Sequence, residues 1–172
     1  MKHDPILDVP TRRVRWLDSS VSQAHVVAFS PDGTRLGVGS EQGVVAGYDA
    51  ASGARVAGPA QVQPGIVTTT TFSPDGRRLL TTGADGLVRL WQPADLRPLA
   101  TSLFTPDNVG RNATFTPDGS SILVVDHTGR FTSWDARPQA WLRRACSIAD
   151  RDFTSEERAR YAITADSPGP CP

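Results

Sequence analysis

Short apolar and β-branched runs recur along this chain, each ended by a polar turn. Val26-Val27-Ala28-Phe29 and Thr69-Thr70-Thr71-Phe72 read as strands. Each leads into Ser-Pro-Asp-Gly, where Pro pre-sets φ, Asp can bond nearby backbone and Gly takes the left-handed conformation that closes a hairpin. Arg78-Leu79-Leu80-Thr81-Thr82 is the next strand and Gly83-Ala84-Asp85-Gly86 the next tight turn. Along Leu87-Val88-Arg89-Leu90-Trp91 the period is two, with Leu87, Arg89 and Trp91 on one face and Val88 and Leu90 on the other. A looser turn leads to a fourth strand near 97–101. From Pro138 the period becomes helical: Trp141, Leu142, Ala145, Ile148 and Ala149 form one stripe. A second helix starts near Asp152, with Thr154 as N-cap and Glu157 as its capping-box partner, and continues over 158–163. The prolines of Ser167-Pro168-Gly169-Pro170-Cys171-Pro172 exclude regular structure there.

The strand pattern is an internal repeat. Ser30-Pro31-Asp32-Gly33 returns as Ser73-Pro74-Asp75-Gly76 and as Thr116-Pro117-Asp118-Gly119, a step of 43 residues each time (30 to 73, 73 to 116). The same step relates Phe29, Phe72 and Phe115, then Leu36, Leu79 and Ile122. It also relates Gly43, Gly86 and Gly129, and Tyr48, Trp91 and Trp134. Four strands per repeat of this length is the signature of one propeller blade.

Composition narrows the function classes. The formal net charge is +0, so nothing draws the chain generally to nucleic acid or an anionic membrane. No apolar run approaches the roughly 20 residues of a membrane span, and the first ten residues, broken by Pro5 and Pro10, lack a signal-peptide core. Gly37-Val38-Gly39 lacks the third Gly and following helix of a phosphate loop, and reads as strand. There is no Gly-x-Ser-x-Gly elbow. Asp32, Asp75 and Asp118 lie one per repeat on separate turns, so they are turn residues and cannot form one acid–base pair. With 3 scattered His and 2 Cys there is no familiar zinc spacing. No catalytic residue, metal or cofactor is expected. Cys146 and Cys171 leave two states open, a disulfide or two free thiols.

The repeat resembles the WD40 family, whose elements are a Phe-Ser-Pro-Asp-Gly turn, a Gly-x-Asp-Gly turn and a strand ending in Trp-Asp. The middle copy matches best, through Phe72 to Gly76, Asp85-Gly86 and Trp91. The resemblance implies an all-β, WD40-type propeller segment of about three four-stranded blades with a short two-helix tail. The expected boundaries are a partial blade or closing strand at 1–20, repeats at 21–58, 64–101 and 107–137, and a tail at 138–172. The structural positions are Phe29, Gly33, Phe72, Gly76, Asp85, Trp91, Phe115, Gly119 and Trp134. The family often ties each blade with a His, Ser/Thr, Asp and Trp network. Here the His position falls near Ser20, Gln63 and Pro106, the turn Asp is Gln42 in the first copy and Thr128 in the third, and Tyr48 replaces the first Trp. The expectation is therefore a weakened polar tie and blades that rely more on apolar packing.

Propellers close with about 4–8 blades, so three copies are an incomplete ring. The segment 6–14 resembles the strand end, turn and fourth strand at 48–56 and 91–99, which starts the chain in mid-blade. Two arrangements follow: a C-terminal piece of a larger propeller protein, or two chains closing a six-bladed ring through exchanged N-terminal strands. The tail, with Trp141, Ala145-Cys146, Arg151-Asp152-Phe153-Thr154, Tyr161 and Cys171-Pro172, is similar to tails that close large bacterial WD40 proteins carrying an upstream STAND-type signalling NTPase. That resemblance suggests a Cys146–Cys171 staple and a role in signalling. In such propellers, residues early in the first strand and just before the turn Asp line one face. Here they are His25, Thr68 and Arg111, with Glu41, Ala84 and His127. The expected function is a non-enzymatic, cytoplasmic protein-binding or ligand-sensing module, extracytoplasmic if the cysteines pair. A self-assembling structural propeller is the alternative. The expected partner is a protein, with a homo-oligomer as a second possibility and neither nucleic acid nor membrane as a target.

Overall fold

The computed structural model describes residues 5–8, 12–17, 21–103, 110–137 and 140. It is all-β over 5–137: among the described residues there are thirteen strands in four antiparallel sheets. Ahead of the first, second and third larger sheets lies a separate hairpin, β1 (Pro5–Asp8) and β2 (Arg13–Trp16), with Pro5 opposite Trp16 and Asp8 opposite Arg13. A four-stranded meander follows: β3 (Ala24–Phe29), β4 (Arg35–Ser40), β5 (Val44–Asp49) and β6 (Arg55–Gln61). The next meander is β7 (Val67–Phe72), β8 (Leu79–Gly83), β9 (Val88–Trp91) and β10 (Pro98–Leu103). The last sheet has three described strands, β11 (Gly110–Phe115), β12 (Ser121–Asp126) and β13 (Phe131–Asp135). The tail with Cys146 and Cys171, its two expected helices, and the positions Ser20 and Pro106 lie outside the described residues.

Each Ser/Thr-Pro-Asp-Gly segment makes the same turn. Gly33 N–H donates to the Ser30 carbonyl, Gly76 to Ser73 and Gly119 to Thr116, each at 2.8 Å. The three glycines have φ of 70°, 67° and 69°, a region that side chains with a Cβ avoid. The hydroxyls of Ser30, Ser73 and Thr116 cap the turn by accepting from the N–H of Arg35, Arg78 and Ser121 at 2.9–3.0 Å. Thr34, Arg77 and Ser120 donate their backbone N–H to Asp32, Asp75 and Asp118. These donors hold the carboxyls low. Asp32, led by the Ser30 hydroxyl, and Asp118, led by the Thr116 hydroxyl, both sit at about 2. For Asp75 burial works upward, but the Ser73 hydroxyl, the Arg77 N–H and the nearby arginines outweigh it and lower the group.

The second and third sheets stack face to face on their predecessors with their turns aligned. A Cβ on Gly76 would lie 3.8 Å from Pro31, and one on Gly119 would lie 3.4 Å from Pro74. Between the first and second meanders runs an apolar layer of Val45, Ala57, Val62, Val67, Phe72, Leu79, Trp91 and Leu96. Gly37 and Gly39 of β4 let that layer close. A Cβ on Gly37 would meet Thr70 at 3.1 Å and Leu79 at 3.2 Å; one on Gly39 would overlap Val67 at 2.7 Å and Val26 at 2.9 Å. The Gly-x-Gly is thus strand sequence shaped for close sheet packing. A second layer joins Leu17 and Val21 to Leu36, Val38, Ala46 and Tyr48 on the other face of the first meander. Across the second and third meanders, the Arg78 guanidinium lies over the Phe115 ring at 5.2 Å, and Thr69 donates its hydroxyl to Asn112 at 2.7 Å.

Candidate functional site

The candidate positions His25, Thr68 and Arg111 share one backbone feature. In β3, Ala24 pairs with Ser40 and Val26 with Gly39, so His25 is the extra residue of a bulge. In β7, Val67 pairs with Gly83 and Thr69 with Thr82, which leaves Thr68 extra. In β11, Gly110 pairs with Asp126 and Asn112 with Val125, which leaves Arg111 extra. A bulge re-aims one residue out of the strand alternation. Here it does so at the same place in three sheets. The sequence supplied the 43-residue register; it did not supply the bulge.

The turn residues Glu41, Ala84 and His127 stand at the same end of their sheets, all exposed. Glu41 N–H donates to the Gln23 carbonyl at 3.1 Å and Ala84 N–H to the Ile66 carbonyl at 3.2 Å, which fixes each turn tip beside the strand that carries the bulge. His25 is exposed; Thr68 is half-buried, its hydroxyl sharing a 2.8 Å hydrogen bond with that of Thr82. The residues of the rim so formed differ from sheet to sheet. Among the described residues no group of three or more His, Cys, Asp or Glu is placed to hold a metal ion.

Behind this rim, the middle sheet keeps a polar network where a weakened tie was expected. Gln63 occupies the position expected for His and is buried. Its Nε2 donates to the Ile66 carbonyl at 2.8 Å and to the Thr82 carbonyl at 3.1 Å. Arg89 donates to both carboxylate oxygens of Asp85, at 2.7 and 3.2 Å, and reaches Gln63 Oε1 at 3.5 Å. Asp85 also accepts from Leu87 N–H at 3.1 Å, and the Trp91 indole N–H donates to the Thr81 hydroxyl at 2.9 Å. A buried amide can play the donor part of an imidazole, because both offer N–H to backbone carbonyls. The overlooked residues are Gln63 and Arg89. Their only signals were an amide at the register position of the missing His and an Arg alternating with Trp91.

Gly83 explains why the turn chemistry differs between copies. A Cβ there would lie 1.9 Å from Gln63 Nε2. In the first sheet the equivalent residue is Ser40, whose hydroxyl accepts from Gln42 and Val44 N–H at 3.2 and 3.1 Å. In the third it is Asp126, which accepts from Thr128 and Arg130 N–H at 2.8 and 3.0 Å. The absence of Asp at Gln42 and Thr128 therefore leaves neither turn uncapped. Where Gln63 needs the space, the first turn position must be Gly, and the cap moves two residues on to Asp85.

The third sheet keeps the indole and lacks its partner. Val124 stands where Thr81 does, and the buried Trp134 Nε1 has no hydrogen-bond partner among the described residues. In the first sheet Val38 and Tyr48 take both positions, and both are buried.

Comparison with known proteins agrees with this division. Residues 60–92 match the family model "WD domain, G-beta repeat", a span holding Gln63, Thr81, Asp85, Arg89 and Trp91. Comparison with curated proteins gives no match. Among solved structures, the chain is similar to that of the computationally designed Ika4 protein, at 16% identity and TM-score 0.65, over 77% of this chain and 79% of that one. At that identity the likeness speaks for the fold alone. The described part of the chain is all-β, its stacked antiparallel sheets are blades of a partial β-propeller, and a WD40 repeat is matched at residues 60–92.

Proposed function

We propose that this chain is a non-enzymatic protein-interaction module that meets its partner at the rim formed by His25, Thr68 and Arg111 with Glu41, Ala84 and His127. The supporting observation is the bulge repeated in β3, β7 and β11. It sets one residue per sheet out of the alternation at the same end, beside an exposed turn residue. A rigid stack carrying residues that vary from sheet to sheet suits recognition of a protein surface. WD40 repeat domains generally mediate protein–protein interaction. A place in a bacterial multidomain signalling protein, and with it a cytoplasmic setting, rests on the tail resemblance alone.

The test compares the two ends of the sheets. Proteins retained by the immobilised chain are identified, with His25→Ala/Arg111→Ala/His127→Ala and Thr34→Ala/Ser120→Ala tested in parallel, the latter pair at the opposite turns. Loss of a specific partner with the first set and retention with the second supports the reading. The reverse pattern would place the contact elsewhere.

A further inference from the structure

We propose that Gln23 and Gln42 form a specificity-determining pair on the rim, which grips the main chain of an extended partner segment. The inference rests on the rim reading above and names the chemistry that this end of the first sheet recognises.

Gln23 has φ of 54°, in the left-handed region that a residue with a Cβ enters at a cost. The other described non-glycine residues in that region, Arg12 and Leu96, lie in the β1–β2 and β9–β10 turns, so Gln23 is the one of the three that stands at the rim. The second sheet meets the same backbone demand without a strained side chain. There Ala84 N–H reaches the Ile66 carbonyl as Glu41 N–H reaches that of Gln23, but the left-handed residue is Gly65, with φ of 73°. At 23 the first sheet keeps a glutamine instead. Strain of this kind collects where a side chain is held for use, and it persists only when its surroundings over-determine it.

The surroundings do so here. Glu41 N–H holds the Gln23 carbonyl at 3.1 Å, and Gln42 Nε2 donates to Gln23 Oε1. Gln42 is pinned in turn: its N–H donates to the Ser40 hydroxyl at 3.2 Å, and its carbonyl accepts from Gln61 Nε2 at 2.7 Å. Both glutamines are exposed, and the bulge residue His25 follows two positions after Gln23.

A carboxamide carries two N–H donors and one acceptor oxygen. With Gln42 Nε2 bonded to Gln23 Oε1, the pair still offers the donors of Gln23 Nε2 and the acceptor Gln42 Oε1, neither with a protein partner among the described residues. A peptide unit complements both, through its carbonyl and its N–H. A carboxylate would set oxygen against Gln42 Oε1, and an ammonium group would set a donor against Gln23 Nε2. A base edge has the same donor and acceptor pattern, but a net charge of +0 gives no attraction to its phosphates. Main chain of an extended polypeptide is the ligand that fits.

The probe is a library of random twelve-residue peptides displayed on phage and panned against the full chain. Selected peptides are expected to bind saturably, and to lose about tenfold or more in affinity against Gln23→Gly and against Gln42→Ala. They are expected to lose it also when one of their own amides is N-methylated, a change that spares every side chain. Gln23→Gly is expected at the same time to raise the melting midpoint of the chain by about 2–4 °C, because it relieves the strain. A residue kept for folding would lower stability and binding together; here the two part. The inference is overturned by a panning that selects nothing, by peptides indifferent to both glutamines or to N-methylation, by displacement of the peptides by a single-stranded oligonucleotide, or by a lowered midpoint for Gln23→Gly. Peptides that His25→Ala/His127→Ala weakens but the glutamine variants do not would sink this inference and leave the rim reading standing. Peptides that ignore both sets count against both.

Discussion

Substituting Gly83 by Ala should destabilise the chain through Gln63 and not through the backbone. Gly83 has no positive φ, so Ala suits its conformation and by itself would gain about 0.4–1 kcal/mol from a less flexible unfolded state. The added Cβ would lie 1.9 Å from Nε2 and 2.4 Å from Cδ of Gln63, too close to coexist. The amide must move, and its bonds to the Ile66 and Thr82 carbonyls break. Each net loss is worth about 1 kcal/mol, and more where the abandoned group stays buried. The expected cost of Gly83→Ala is therefore about 1–3 kcal/mol. Gln63→Ala should cost a similar amount, because it removes the same donors. The diagnostic is the double variant. Truncating Gln63 removes the three atoms nearest that Cβ, so Gly83→Ala should then be neutral or slightly stabilising. Denaturant melts followed by tryptophan fluorescence give all four stabilities. Non-additivity of about 1–3 kcal/mol is the expected coupling. If Gly83→Ala costs as much without Gln63 as with it, the spatial argument is wrong.

The third sheet offers a gain. Val124→Thr should give the buried Trp134 indole N–H the partner that Thr81 gives Trp91, stabilising by about 0.5–1.5 kcal/mol, while Thr81→Val should cost about 1–3 kcal/mol by the same assay. An equal sign for the two changes would refute the equivalence. Gly39→Ala should cost about 1–3 kcal/mol, since its Cβ would overlap Val67 and Val26 between packed sheets. A neutral result in a denaturant melt would mean that the layer is loose. The turns also predict acid behaviour. Asp32 and Asp118 sit at about 2 in the folded chain, below the roughly 3.9 of an unfolded Asp. Depressed groups contribute stability that is complete above about pH 4 and lost as pH falls through about 2. Asp32→Asn/Asp118→Asn should therefore flatten the dependence of stability on pH between about 4 and 2, and an unchanged slope in acid titration melts would contradict the turn assignment.

The amino-acid sequence by itself determined the strands and their turns. Period-two alternation, β-branched residues and the Ser/Thr-Pro-Asp-Gly chemistry act over a few residues, and the 43-residue step exposes their equivalence. The same step named His25, Thr68 and Arg111 as equivalent positions, and marked Phe29, Phe72 and Phe115 as one class. Only the tertiary structure decided what became of these equivalents. Phe72 and Phe115 are buried because a preceding sheet lies on them, whereas among the described residues only the hairpin β1–β2 stands before Phe29, which is exposed. The bulges were hidden because a bulge is a mismatch between two strands and is recorded in neither alone. The network around Gln63 was misread for a related reason. A missing His suggests a missing tie, but Gln63 meets Ile66, Thr82, Arg89 and the space left by Gly83 only once the β6–β7 connection, β8 and β9 have converged. Local chemistry is legible residue by residue; whether a polar group finds its partner depends on distances between segments that packing alone sets.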